Sequence, residues 1–195
     1  MTSTAEHFDA LYRDRADPWN YETSGYERRK YDATLAGLTR PRYGDAIEAG
    51  CSIGVLTDRL ARCCDRLRAL DFSPLAVARA AVRLATLPHV EVLRATLPAD
   101  WPRGRYDLIM LSEILYYLPG EGIDAMARLV ARDAAEAGEC VLVHWQGETQ
   151  TEISANDARD RFCAGLARRR PFRVIVHADG AAYDHRTLLF KPEVR

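Results

Sequence analysis

Apolar residues in the first forty positions recur at helical spacing on either side of one polar stretch. The spacing predicts a short helix over residues 5–13 and a second helix over residues 26–38, which Pro41 prevents from continuing. Residues 17–26 contain proline, glycine and several polar side chains, and therefore predict a loop. The chain thus begins with two helices joined by an irregular segment that contains Trp19.

From position 45 onward, short apolar runs alternate with helical patterns. Strands are predicted over residues 45–49, 66–70, 89–93, 106–111 and 140–145, and helices over residues 54–62, 74–87, 122–135 and 154–167. Two further runs, 172–177 and 183–190, flank an Asp179-Gly180 turn and predict a closing hairpin. This order predicts an α/β, Rossmann-like fold with a seven-stranded, mostly parallel sheet, one antiparallel strand and helices on both faces.

The first predicted strand ends in a turn that is rich in small residues. Glu48 precedes the turn, and Gly50 and Gly54 lie at either end of it, with Ser52 between them. Asp71 closes the next strand, so a glycine turn at a helix start is followed by a carboxylate at the adjacent strand end. This layout holds a ribose in dinucleotide-type folds. The glycine spacing differs from the one that binds a pyrophosphate, so a nucleoside cofactor without a pyrophosphate is favoured.

The turn resembles the first motif of class I S-adenosylmethionine (SAM) methyltransferases, with Ser52 in place of the motif's middle glycine. The resemblance implies that Gly50 and Gly54 let the backbone approach the methionine and ribose parts of SAM. It also implies that Asp71 accepts hydrogen bonds from both ribose hydroxyls. The alternative role for Asp71 is a structural cap on the helix that begins at Ser73. The full set of expected cofactor-binding residues is Trp19, Lys30, Glu48, Gly50, Cys51, Ser52, Gly54, Asp71, Phe72, Ser73, Ala95, Thr96, Leu97, Ser112, Glu113 and Tyr117.

Four stretches of the sequence together are similar to the NodS family of nodulation methyltransferases. They are Asp17-Pro18-Trp19, the Tyr26-Glu27-x-x-Lys30-Tyr31-x-x-Thr34-Leu35 pattern, residues 50–54 and residues 112–118, and the similarity covers about residues 8–145. In that family, SAM methylates the free amine of a partly deacetylated chitooligosaccharide. The resemblance implies SAM as the cofactor and N-methylation of a small molecule such as an amino sugar or oligosaccharide. Because similar small methyltransferases act outside nodulation, O-methylation of another metabolite is an alternative.

Two side chains at predicted strand ends are candidates for acid–base chemistry. Glu113 follows the fourth strand and His144 lies near the end of the fifth, and open α/β sheets bind ligands at that edge. Glu113 is suited to deprotonate or orient an acceptor ammonium, and its alternative role is a cofactor-shell or capping carboxylate. His144 is the second candidate base, and otherwise a structural residue. Methyl transfer to an amine requires little beyond alignment, so a dedicated base is not obligatory.

The aromatic and basic residues upstream of the first strand have two interpretations. Residues 17–26 form either a surface loop with a packed Trp19 or part of a lid that excludes water from the cofactor. We expect a single domain over residues 1–195, with residues 1–40 as a helical lid and residues 44–195 as the core.

Composition narrows the expected partners and compartment. The 27 basic and 28 acidic residues give a net charge of −1 without a long block of like charge, which argues against capture of nucleic acid or an anionic membrane. The start of the chain lacks a basic, apolar leader and no apolar stretch has membrane-spanning length, so we expect a cytoplasmic protein. Five cysteines, two of them adjacent, and five scattered histidines suit neither a disulfide framework nor a metal site.

Two other functions share parts of this pattern. An NAD-dependent oxidoreductase has a similar first half but requires a different glycine spacing and a catalytic Tyr/Lys or His group. A non-catalytic sensor of SAM or S-adenosylhomocysteine (SAH) would use the same pocket, and the sequence does not separate it from an enzyme. The identity of the acceptor and the oligomeric state are likewise left open.

Overall fold

Within the residues that the computed structural model describes, 4–147, 151–179 and 182–191, seven strands form one sheet. The strands are β1 (Tyr43–Ala49), β2 (Cys64–Asp71), β3 (Val90–Arg94), β4 (Tyr106–Ser112), β5 (Ala134–Trp145), β6 (Phe172–Asp179) and β7 (Tyr183–Phe190). They are ordered β3-β2-β1-β4-β5-β7-β6, and β7 runs antiparallel to both of its neighbours. The other neighbouring pairs are parallel. The expected mostly parallel, seven-stranded sheet with one antiparallel strand is therefore confirmed.

Helices precede or connect the strands, and several of them begin at a serine N-cap. They are α1 (Thr4–Asp14), α2 (Gly25–Ala36), α3 (Val55–Leu60), α4 (Pro74–Arg83), α5 (Gly120–Asp133) and α6 (Ala155–Ala167), with two 3₁₀ turns at Ala61–Cys63 and Leu115–Tyr117. The Ser24 side chain accepts the N–H of Glu27 at the start of α2. Ser73 caps α4 in the same way, and Pro74 occupies the first turn, where its missing N–H is not needed.

The central strand β4 is apolar along its whole middle because helices cover both faces of the sheet. Leu108 and Met110 share a core cluster with Leu56 of α3. Ile109 and Leu111, which point to the opposite face, share another cluster with residues of α5 and α6. All four β4 residues are fully buried. A strand that is buried on both faces has an uninterrupted apolar sequence, which is the pattern that predicted it.

The order of the strands reverses between β1 and β4. The chain passes from β1 outward to β2 and β3 and then crosses to β4 on the other side of β1. Open α/β sheets leave a crevice beyond the carboxyl ends of the strands at such a reversal. The turn after β1 and the loop after β4 both begin at this crevice.

Two elements differ in length from those that the sequence predicts. Helix α4 ends at Arg83 instead of residue 87, because Pro88 restricts the residue before it and the intervening residues form a turn. Strand β5 begins at Ala134, well before residue 140, and pairs irregularly with the start of β4. Ala137 in this region has a φ of +53°, which is consistent with a bulge.

Strands β6 and β7 pair antiparallel, as the expected hairpin requires. Gly180 of the predicted turn lies outside the described residues. None of the helices in the described part of the chain is both long enough and apolar enough to cross a membrane.

Candidate active site

A cavity of about 670 Å³ lies at the carboxyl edge of the sheet and is lined by residues that follow or end β1, β2, β4 and β5. Its volume falls in the range of pockets that bind small ligands. All but two of the expected cofactor-binding residues line it. They are Trp19, Lys30, Glu48, Gly50, Cys51, Ser52, Asp71, Phe72, Ala95, Thr96, Leu97, Ser112, Glu113 and Tyr117.

The cavity wall also contains residues outside the expected cofactor-binding set. They are Phe8, Tyr12, Tyr21, Tyr26, Glu27, Tyr31, Val55, Leu56, Leu70, Ile114, Tyr116, Leu118, Pro119 and Trp145. Several come from α1, α2 and the loop between them. The sequence presents Phe8 and Tyr12 as the apolar face of an ordinary helix. The density of aromatic residues between positions 8 and 31 is the signal that could have assigned them to the site.

Two glycines shape the turn after β1 in different ways. Gly50 and Gly54 have φ angles of +78° and +80°, in the left-handed region that favours glycine. A Cβ at Gly50 would approach Ile114 of the cavity wall to 3.3 Å, so this glycine keeps the cavity side of the turn open. A Cβ at Gly54 would instead approach Ala80 of α4 to 3.2 Å. Gly54 therefore allows close helix packing and does not line the cavity, contrary to expectation.

The Asp71 carboxylate is held by backbone N–H groups on both sides of it. Its two oxygens accept hydrogen bonds from the N–H groups of Ser52 (2.8 Å) and Ser73 (2.9 Å). Burial raises the pKa of Asp71 above its ordinary value, against the lowering effect of these hydrogen bonds. Asp71 lines the cavity and also accepts the Ser73 N–H at the start of α4. Its position is therefore compatible with both roles that the sequence leaves open, ribose binding and support of α4. Ser73, which was expected to bind the cofactor, is not among the residues that line the cavity, and its hydroxyl donates to Asp9 instead.

Glu48 is a buried acid in the cavity wall and is only 2% exposed. Burial, with a smaller contribution from the charge of Asp71, raises the pKa of Glu48 to about 7. Its Oε2 atom is buried without a hydrogen-bond partner among the described residues. A buried polar atom beside a cavity fits a ligand that supplies a donor. Together with the open glycine turn, this atom makes the site suitable for SAM, which carries ribose hydroxyls and an ammonium group.

A buried ion network joins α2 to the loop after β4. The Lys30 ammonium lies 2.9 Å from a Glu27 oxygen and 3.0 Å from Oε1 of Glu113. Burial alone would lower the pKa of Lys30, but the charges of Glu113 and Glu27 and their hydrogen bonds outweigh it, and the pKa is raised. Lys30 therefore stays positively charged near neutral pH.

Glu113 is fixed in the cavity wall by three donors. Lys30 contacts Oε1, while Oε2 accepts hydrogen bonds from the Tyr116 hydroxyl (2.7 Å) and the Trp145 N–H (2.8 Å). Glu113 has a φ of +56°, a left-handed conformation that is uncommon outside glycine. Such conformations persist where the surroundings hold a residue firmly, and they cluster at functional sites.

His144 does not reach the cavity. Its side chain is fully buried, edge-on to the ring of Tyr116 at 6.1 Å between ring centres. Burial lowers the pKa of His144 to about 4, so the imidazole is neutral near neutral pH. The expectation that His144 faces the ligand edge is wrong, because successive residues of a strand point to opposite faces. The next residue, Trp145, lines the cavity instead.

Aromatic side chains from the N-terminal residues close one side of the cavity. Phe8 packs against Trp19, Phe72 and Tyr117, with ring centres 5.7, 5.6 and 5.0 Å away. Trp19 also stacks on Tyr21 at 5.6 Å. Aromatic walls exclude water, and their negative ring faces suit a ligand that carries positive charge.

Fold and site together define the class of the protein. A Rossmann-like sheet presents a glycine turn after its first strand and a carboxylate at the end of its second strand to one cavity, at the point where the strand order reverses. This arrangement is that of a class I SAM-dependent methyltransferase, and SAM is the cofactor.

Comparison with known proteins narrows the class to a family. The family model for Nodulation protein S (NodS) matches residues 3–140. Nodulation protein S of Bradyrhizobium diazoefficiens is 35% identical over 170 residues, and the match covers 84% of this chain and 73% of the relative. The chain therefore belongs to the NodS family.

Solved structures share the fold. The crystal structure of a protein from Pseudomonas syringae, described as a methyltransferase, has a TM-score of 0.72 to this chain. The two sequences are 33% identical, and the match covers 85% of this chain and 99% of the Pseudomonas syringae chain. The N-methyltransferase NodS from Bradyrhizobium japonicum WM9, in complex with SAH, is 21% identical and has a TM-score of 0.72. That match covers 98% of this chain and 99% of the NodS chain, and at this identity it is evidence for the fold.

Proposed function

We propose that this chain transfers a methyl group from SAM to the amine of a small molecule, with an amino sugar or a partly deacetylated chitooligosaccharide as the first candidate acceptor. The observation that carries the proposal is the charge of the cavity. Among the described residues that line it, carboxyl groups come from Glu27, Glu48, Asp71 and Glu113, and an ammonium group comes from Lys30. An excess of carboxylates favours positively charged ligands, and a sulfonium and an ammonium both carry such a charge.

The cofactor side of the site is assigned to the turn after β1 and the end of β2. SAM supplies an electrophilic methyl group on a positively charged sulfur when it is bound. Asp71 accepts hydrogen bonds from the two ribose hydroxyls, because each carboxylate oxygen has acceptor capacity beyond the one N–H that it binds. Residues 95–97 adjoin the adenine, and residues 1–40 serve as a lid whose aromatic side chains exclude water.

The acceptor side is assigned to Glu113. Glu113 follows β4 directly, and its carboxylate is fixed at the cavity by its three donors. It orients the acceptor ammonium and takes one of its protons, because an amine is nucleophilic only after it has lost that proton. The proton passes from the acceptor nitrogen to a Glu113 oxygen and from there to water. His144 has no part in this proposal, since it lies outside the cavity lining.

Matched acceptors test the proposed reaction. Chitooligosaccharides with one free amine, and the same oligosaccharides fully N-acetylated, are incubated with the protein and methyl-labelled SAM. We expect label in the free-amine compounds and none in the acetylated controls. Label in both would indicate O-methylation. A protein that binds SAH but labels no acceptor, including simple amines and amino sugars, would be a non-catalytic sensor.

A further inference from the structure

Helix α1 is attached to the site through the same two serines that hold Asp71. Ser52 and Ser73 donate their backbone N–H groups to the Asp71 carboxylate. The Ser52 hydroxyl shares a hydrogen bond of 2.6 Å with the Tyr12 hydroxyl, and the Ser73 hydroxyl donates one of 2.7 Å to Asp9. Each serine therefore binds Asp71 with its backbone and α1 with its side chain.

Ser52 occupies the motif position that otherwise carries glycine. Its φ of +50° lies in the left-handed region, where serine is less favourable than glycine. The contact with Tyr12 supports this conformation, and with it the direction of the Ser52 N–H toward Asp71. A glycine would allow the same backbone but would offer α1 no hydroxyl.

Tyr12 is placed firmly enough to act as a fixed partner. It is 3% exposed and packs edge-on against Trp19, with ring centres 5.5 Å apart. Its backbone carbonyl accepts a hydrogen bond of 2.9 Å from Arg79 of α4. The Tyr12 hydroxyl is thus held at Ser52 by packing and by a second hydrogen bond.

We propose that Tyr12 and Asp9 are positioning residues for cofactor binding. Docking of α1 onto Ser52 and Ser73 fixes the Asp71 carboxylate for the ribose, and the bound cofactor in turn holds α1 in place. Such a coupling is reciprocal in binding free energy. The inference rests on the proposed role of Asp71 in binding the ribose. It goes beyond a lid that covers the cavity, because a cover alone would not depend on hydroxyl contacts to these two serines.

Titration of SAH into variants tests the coupling. We expect Tyr12→Phe to weaken SAH binding by roughly 2- to 12-fold, the effect of losing one hydrogen bond, and Asp9→Ala to weaken it by at least a similar factor. Tyr43→Phe is the matched control. Its hydroxyl accepts the N–H of Arg40 at the opposite edge of the sheet, so its loss should leave SAH affinity unchanged.

A double-variant cycle separates positioning from a general loss of packing. If the Tyr12 hydroxyl acts through Ser52, then Tyr12→Phe should weaken SAH binding no further in a Ser52→Ala protein. Fully additive losses would overturn the inference. Amide hydrogen exchange supplies an independent readout. Bound SAH should slow exchange in α1 of the unmodified protein, and should slow it less in Tyr12→Phe.

Failure of the coupling and failure of the proposed function would give different results. Normal SAH affinity in both Tyr12→Phe and Asp9→Ala, with exchange in α1 unaffected by SAH, would overturn the coupling and leave the proposed function intact. Failure of the folded, unmodified protein to bind SAH would overturn the proposed function and the coupling with it.

Discussion

The central sheet and the N-terminal segment, which runs from α1 to α2, differ in the side chains that they bury. Residues 108–111 of β4 are apolar and fully buried. The buried residues of α2 are Glu27, Lys30, Tyr31 and Thr34. Removal of apolar surface from water stabilises the sheet and has no preferred direction. Directional hydrogen bonds and ion pairs hold α2 beside the apolar packing of Tyr31 and Leu35, so part of its attachment depends on single polar atoms. The second kind of attachment suits a segment that responds to a ligand.

Asp71 lies where the two regions meet, and its loss has the largest expected effect. Asp71→Ala removes the two charge-assisted hydrogen bonds that we propose it makes to the ribose, each of about 1.5–3 kcal/mol, so SAH affinity should fall by about 3–6 kcal/mol. SAM should be affected equally, because both ligands carry the ribose. Calorimetric titration of both ligands, with urea unfolding of the free protein, measures the effect. Normal affinity with a stability loss of about 0.5–2 kcal/mol would restrict Asp71 to support of α4.

Glu113, in the loop after β4, is contacted by Lys30 of the N-terminal segment. Loss of a proton acceptor acts mainly on the reaction step, so Glu113→Gln should lower turnover by roughly 10²- to 10⁴-fold and change SAH affinity little. His144→Gln is the control and should retain turnover in folded protein. Full turnover by Glu113→Gln across the pH range would show that no carboxylate is needed at this position.

Substitution of Lys30 tests whether the ion network with Glu27 and Glu113 holds α2 in place. Lys30→Met leaves the buried Glu27 and the half-buried Glu113 without their counter-charge, and the loss should be at most the roughly 3–5 kcal/mol that breaking a fully buried pair costs. We expect a lower free energy of unfolding or release of α2, measured by urea unfolding and limited proteolysis. Glu27→Gln in the Lys30→Met protein should recover part of the loss. An unchanged Lys30→Met protein would mean that the ion network does not hold α2.

Substitution of Leu108 tests how much a buried apolar side chain stabilises the sheet. Leu108→Ala removes a fully buried side chain from β4 and should lower the free energy of unfolding by about 2–5 kcal/mol. Val82→Ala, at a residue that is 80% exposed, should change it by less than about 0.5 kcal/mol. Urea unfolding of both variants measures the difference. SAH affinity of the folded Leu108→Ala protein should stay normal, and a selective loss of affinity would contradict the separation of the two regions.

Burial of His144 makes the free energy of unfolding depend on pH. Its pKa is about 4 in the folded protein against 6.5 for the free side chain, so the unfolded chain binds the extra proton first as pH falls. Stability should therefore decrease from pH 6.5 to pH 4, by about 3 kcal/mol for this residue. His185, whose pKa burial also lowers to about 4, acts in the same direction. Urea unfolding across this range should show a flatter profile for His144→Leu, and parallel profiles would contradict the assignment.

The sheet could be predicted from the sequence because the buried residues of its strands form apolar runs of strand length. The apolar spacing of residues 26–38 predicts helix α2 but not its attachment, since the partner that its buried charged side chains have outside the helix lies far away in the chain. Lys30 was expected at the site and lines it, but its partner Glu113 is 83 positions away, and nothing local indicates the pair. A prediction of contacts between distant residues is needed to find such a network.

Within the site, the sequence predicted residues of the cavity lining where a residue type favours one backbone geometry or one end of a strand. Gly50 suits a left-handed turn, and Asp71 is the last residue of a strand that ends at the ligand edge. The sequence failed for His144, because the face to which a strand residue points depends on register, and one position reverses it. Gly54 packs against α4 and does not line the cavity, and a glycine required for close packing looks the same in sequence as one required for a ligand.

The positions of the three tryptophans make the two regions separately visible by fluorescence. Trp19 belongs to the N-terminal segment and Trp145 to the end of β5, and both line the cavity. Trp101 is away from the cavity lining, with its indole N–H bonded to Asp133 at 2.9 Å. Proteins that retain only Trp19 or only Trp145 would carry a built-in optical probe on one side of the site. Their emission during ligand mixing would give the order in which the two sides respond, without an attached dye.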